Sequence, residues 1–239
     1  MALGIQTDSS TGLADERRLA IDGDQCVEFR NVGWEGYSAL LRVRGERSSP
    51  RMIYLDGTVW LMSPSFPHER LQKRLGYVVE VIAEELEFSF VPAGSTTFRR
   101  RSKRGGVEGD QTYYLANSRR IRGKDRLELK TDPPPDLAIE AVHTHDADAA
   151  IAVWRRFKVP ELWVCDEAEL RILVRRPNGR YAESSVSASF PFLSAAEIYD
   201  WVSRPQMPSE LEWVKAFRAW VKRTLRPRSR RMNRNPDQD

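Results

Sequence analysis

The chain has 239 residues, 41% of them hydrophobic and 10% aromatic, which suits one large domain with a proper core and argues against wholesale disorder. Its net charge of +4 conceals two basic clusters: nine Lys/Arg between Lys215 and Arg234, and the run Arg99-Arg100-Arg101-Ser102-Lys103-Arg104. No apolar stretch approaches the ~20 residues of a membrane span, and the first eight residues lack the basic-then-apolar order of a secretory leader, so a cytoplasmic protein with no membrane partner is expected.

Residues 1–24 are polar and aperiodic and are expected to form a mobile tail. Trp34, Tyr37, Leu40 and Leu41 recur at helical spacing. Met52 to Met62 reads as a β-hairpin around Asp56-Gly57, with Ile53, Leu55, Val59 and Leu61 as its apolar face. After Pro64 and Pro67 a long helix is predicted from near His68, because Leu71, Leu75, Val78, Val79, Ile82 and Leu86 form one stripe. Short strands are predicted over Phe88 to Val91 and Ser95 to Phe98. A basic loop at Gly105-Gly106, a strand over Gln111 to Ala116 and a polar excursion over Asn117 to Lys130 follow.

Three prolines, Pro133 to Pro135, lead into an apolar strand from Asp136 to Val142. A helix over Asp146 to Phe157, strands Glu161 to Cys165 and Leu170 to Arg175, a turn at Asn178-Gly179 and a strand from Tyr181 come next. A helix capped by Ser194 and a last amphipathic helix from Ser209 to Leu225 precede a tail expected to be disordered. The two cysteines, Cys26 and Cys165, match no metal spacing, and Cys165 reads as a buried thiol. This order of elements describes a mixed α/β sheet with helices packed on it.

Within the strand from Asp136 to Val142, Glu140 is a carboxylate among apolar residues. Such a group must be paired, protonated or bound to a cation. A salt bridge to one of the many arginines would explain it as well as a metal would. Asp110, just before the preceding strand, could converge with Glu140 on one hard cation, although an aspartate there also fits ordinary turn chemistry.

The stretch Gly106-Val107-Glu108-Gly109-Asp110-Gln111-Thr112-Tyr113-Tyr114 resembles the Glu-Pro-Asp strand start of the Uma-type restriction endonucleases. Asp132-Pro133-Pro134-Pro135-Asp136-Leu137-Ala138-Ile139-Glu140 is similar to that family's second acidic strand. Met62-Ser63-Pro64-Ser65-Phe66-Pro67-His68-Glu69, Val159-Pro160-Glu161-Leu162-Trp163 and Phe190-Pro191-Phe192-Leu193 extend the resemblance over about residues 27 to 202. It implies a PD-(D/E)XK nuclease core, assigned to residues 25–203 with the hairpin as an extra N-terminal element, and leaves outside it the tail over 1–24 and the basic C-terminal helix and disordered tail over 204–239. It also implies Mg²⁺ (or Mn²⁺) as cofactor, DNA as substrate, and a homodimer where both strands are cut.

In that resemblance Asp110 and Glu140 are the catalytic, metal-binding acids. Glu69 matches an auxiliary acid, though an exposed first-turn glutamate favoured by the helix dipole would look the same. Two departures stand out. Gly109 replaces the proline before the first acid, and Ala149-Ala150 falls where the family carries an Asp-Lys pair. His143 and His145 are candidates to take over the lysine's role, or loop histidines with none. Arg99, Arg100, Arg101, Lys103, Arg104, Lys222, Arg223 and Arg226 are the expected DNA contacts. The alternative to an endonuclease is an inactive nuclease fold that binds DNA or a protein partner.

Overall fold

The computed structural model describes residues 23–142, 147–204 and 207–234. Eleven strands among these residues form two sheets. The first contains β1 (Gln25–Phe29), β2 (Arg51–Leu55), β3 (Thr58–Ser63), β5 (Thr97–Arg100) and β6 (Gly105–Glu108), in the order β1-β3-β2-β6-β5. The second contains β4 (Val91–Pro92), β7 (Gln111–Tyr114), β8 (Leu137–Ala141), β9 (Glu161–Cys165), β10 (Leu170–Arg175) and β11 (Tyr181–Ser184), in the order β11-β10-β9-β8-β7-β4. The β8–β9 pair is parallel and the other pairs are antiparallel, so the mixed α/β architecture expected from the sequence is present, divided between two sheets.

Helix α1 (Trp34–Arg44) packs on the first sheet through Tyr37, which stacks on Tyr54 at 4.9 Å. Helix α2 (Phe66–Leu86) starts at a Ser65 cap with Pro67 in its first turn, and its stripe Leu75, Val78, Val79 and Ile82 is fully buried. Each such side chain contributes roughly 1.5–3 kcal/mol. Beyond a short turn of helix, α3 (Ser118–Ile121), the chain enters β8.

Alternation along β8 then divides its side chains. Leu137, Ile139 and Ala141 join the core under α2, α5 (Ala195–Val202) and α6 (Glu210–Trp220). Ala138 joins the second core, under α4 (Asp148–Phe157), with Val153, Trp154, Leu162 and Val164. Glu140 lies on that same α4-facing side.

Two expectations need correcting, and one strand was not foreseen. The Gly105-Gly106 loop is strand β6, buried throughout and paired with β2 and β5. Strand β1 leaves little trace in the sequence, because all five of its residues are exposed and its alternation is weak. The C-terminal tail expected to be disordered is helical as far as it is described: α6 passes through a π-helical stretch, Val221–Leu225, into α7 (Arg226–Arg234). Buried Val221 and Leu225 anchor that extension to the core under α2. Of the N-terminal tail, residues 1–22 lie outside the described residues, whereas Asp24 is bound into the fold by the contacts of the acidic centre.

Candidate active site

Strands β7 and β8 bring Asp110 and Glu140 together. Gly109 is the link: a Cβ built on it would stand 3.2 Å from Glu140 Oε1. Both carboxylates are buried, Asp110 at 2% exposure and Glu140 at 7%. Asp110 Oδ2 accepts the Ala141 backbone N–H at 2.6 Å, which ties the start of β7 to the end of β8. Asp110 Oδ1 meets His68 Nε2 at 3.0 Å and the Arg51 guanidinium. Glu140 Oε1 accepts the Trp154 indole N–H at 2.5 Å. Burial drives Glu140 up to about 7, against the lowering effects of the Trp154 hydrogen bond and the Arg51 charge.

His68 is a site residue, although its sequence position marks it only as the start of a helix. Its ring is buried and bridges Asp110 to Asp24, with Nδ1 3.0 Å from Asp24 Oδ2. Asp24 Oδ1 also accepts the Ser65 N–H at 2.7 Å, so the segment before β1 is fastened to the first turn of α2. Burial would raise the Asp24 carboxyl, but the Ser65 N–H and His68 outweigh it and hold the group below its ordinary range. The available signal was His68 beside Glu69 in the quoted motif.

Arg51, at the start of β2, escapes sequence reasoning too, because a lone arginine opening a strand has no distinctive spacing. It is 7% exposed. Its Nη2 donates to Glu69 Oε1 and Gln72 Oε1, both at 3.1 Å, while Nη1 contacts Asp110. Glu69 therefore stands at the edge of the site, linked through Arg51 and half-exposed. Glu108 faces the first sheet and is satisfied there by Arg44, Thr97 and the Met52 N–H, so it serves as a brace.

A cavity of 260 Å³ opens on this centre, lined among others by Arg51, Ile53, Glu108, Glu140, Ala149 and Ala150. Ala150, the position matched to the family lysine, thus lines the same cavity as Glu140. The Gly109 departure also has a physical reason: a Cβ there would lie 2.8 Å from Trp154 Cζ2. His143 and His145 lie outside the described residues.

Among the described residues no three His, Cys, Asp or Glu side chains form a ready cage for a metal. Two buried carboxylates on adjoining strands nevertheless suit a hard divalent ion, which needs only one or two carboxylates and keeps its remaining waters.

The expected basic contacts are dispersed. Arg99 and Arg101 are exposed and Arg100 half-buried, and all three line a cleft of 1260 Å³ with Arg42, Arg126 and Lys130. Arg101 pairs with Glu35, and Arg104 with Asp56. Lys103 lies on the short turn after β5. Lys222 and Arg226 pair with Glu85 and Glu87 at the end of α2, and Arg223 is exposed.

An acidic pair where two neighbouring central strands adjoin, on a mixed sheet flanked by helices, defines the class: the restriction-endonuclease-like fold. The family model Uma2, described as "Putative restriction endonuclease", matches residues 34–205, and the chain belongs to that family. A crystal structure described as "a putative nuclease belonging to DUF820 from Anabaena variabilis ATCC 29413" is similar at 16% identity and a TM-score of 0.49, over 67% of this chain and 96% of that one. No curated protein matches the sequence.

Proposed function

We propose that the protein is a DNA endonuclease of restrained activity, with Asp110 and Glu140 as the acidic pair that holds Mg²⁺ or Mn²⁺. The observation that carries this reading is the burial of both carboxylates on adjoining strand ends, with Glu140 lining a cavity. An ion held there would polarise the scissile phosphate and acidify the attacking water. The protein's own groups do the positioning. The Ala141 amide and His68 fix Asp110, the Trp154 indole fixes one oxygen of Glu140, and the cleft lined by Arg99, Arg100, Arg101 and Arg126 offers charge to a phosphate backbone. The restraint follows from Ala150, which supplies no ammonium to orient water or offset charge in the transition state.

That same residue favours a second reading, DNA binding without cleavage. One experiment separates the two. Wild type should nick plasmid DNA slowly with Mg²⁺ or Mn²⁺, and Asp110→Asn or Glu140→Gln should abolish the nicking. Ala149→Asp with Ala150→Lys should raise the rate by part of the ~10²–10⁴-fold that a placed acid or base contributes. No cleavage by either protein, with DNA binding intact, would establish the second reading.

A further inference from the structure

We infer that Arg51 is the resident counter-cation of the acidic centre, and that a divalent ion enters only by displacing its guanidinium. This rests on the reading of Asp110 and Glu140 as the metal-holding pair. Three observations support it. The guanidinium is in direct contact with Asp110 Oδ1, the side of that carboxylate not used by the Ala141 amide. It lines the same cavity as Glu140, and its positive charge acts on that carboxylate. Its second nitrogen is held back by Glu69 and Gln72 at 3.1 Å, so it is braced in place from α2.

A planar guanidinium is well suited to this post. It is always charged, is more weakly hydrated than an ammonium, and pairs with carboxylates through a rigid fork. Two buried carboxylates that are both ionised repel each other and lack hydration, so above the range where Glu140 holds its proton something positive must stand beside them. Arg51 meets that need within the chain. It therefore stabilises the fold and lowers the affinity for any metal through one and the same contact. Glu69 and Gln72 act indirectly as positioning residues, by setting how far the guanidinium can retreat.

The test is Mn²⁺ binding, followed by electron paramagnetic resonance and calorimetry without DNA, so no turnover is involved. Arg51→Met removes the charge at similar length. It should bind Mn²⁺ at least about tenfold more tightly than wild type, because the uncompensated pair then has the metal as its cation. Arg51→Lys keeps a charge but loses the fork and should fall between the two, which preserves the test if the methionine variant does not fold. Adding Glu140→Gln to either variant should remove the gain. Equal affinities in wild type and every folded Arg51 variant would overturn the inference while leaving the acidic pair as a metal site. Absence of binding in all of them at millimolar Mn²⁺ would overturn the inference and the metal-holding pair together.

Discussion

At the scale of single residues, Glu140 has a measurable signature. Its carboxyl, pushed from 4.5 up to about 7 chiefly by burial, keeps its proton in the folded protein at pH values where the unfolded chain has released it. The folded state then binds more protons between those limits, so stability falls as pH rises through that window and levels off above it. Glu140→Gln, which cannot ionise, should flatten this decline in a series of thermal or urea melts. An unchanged decline in the variant would show that another group is responsible. The acid itself was legible, since a lone carboxylate in Leu137-Ala138-Ile139-Glu140-Ala141 has few explanations. What surrounds it was not. Trp154 reaches it from α4 and the Arg51 charge acts on it from β2, while His68 holds the neighbouring Asp110 from α2, and such convergence leaves no mark in local spacing. Gly109 shows the same limit. In the sequence it is a missing proline, and only the Trp154 ring pressed against it shows why a side chain is excluded.

At the scale of elements, the C-terminal helix has two uses for its positive charge. Arg218 pairs with Glu84 and Glu85 at 2.8 and 2.7 Å, and Arg228 with Glu197 at 2.7 Å, so these cations clamp the helix to α2 and α5. Exposed pairs of this kind contribute only about 0–1 kcal/mol each. The larger anchors are Trp213, Phe217, Val221 and Leu225, all fully buried. Arg230, Arg231 and Arg234 are all exposed on α7. Replacing these three by alanine should leave the helical circular dichroism largely unchanged. It should also reduce the slope of log DNA affinity against log salt by up to ~0.9 for each phosphate no longer neutralised. A slope equal to wild type would assign α7 to packing alone. The helix up to Leu225 was readable from Val214, Phe217 and Val221, although Leu211, expected on the same face, is exposed. Its continuation was hidden because Pro227 and the arginines resemble a solvated tail, whereas Pro227 directly follows the π-helical stretch Val221–Leu225 within one continuous helix.

At the scale of the whole molecule, the expected mixed sheet with an extra N-terminal hairpin is present, and the hairpin is part of a second sheet of its own, because β6 ends at Glu108 and β7 begins at Gln111 in a different sheet. Sequence periodicity identifies strands but not which strand each will join, and the Gly105-Gly106 pair masked β6 altogether. The division places the basic cleft on the α1 and β5 side, apart from the basic surface of α7. If the cleft carries DNA, Arg99→Ala with Arg126→Ala should weaken binding by a similar factor for unrelated sequences, as expected for phosphate contacts. Weakening confined to one sequence would point to base reading instead.

The Asp110–Arg51 contact spans that division, since Arg51 belongs to the first sheet and Asp110 opens a strand of the second. The acidic centre is thus also a rivet between two plates. If a metal displaces Arg51 as inferred, it removes this link while the shared apolar core of Phe98, Val107, Ala138 and Leu162 still joins the plates, so occupancy of the centre would tune how tightly the two halves are held.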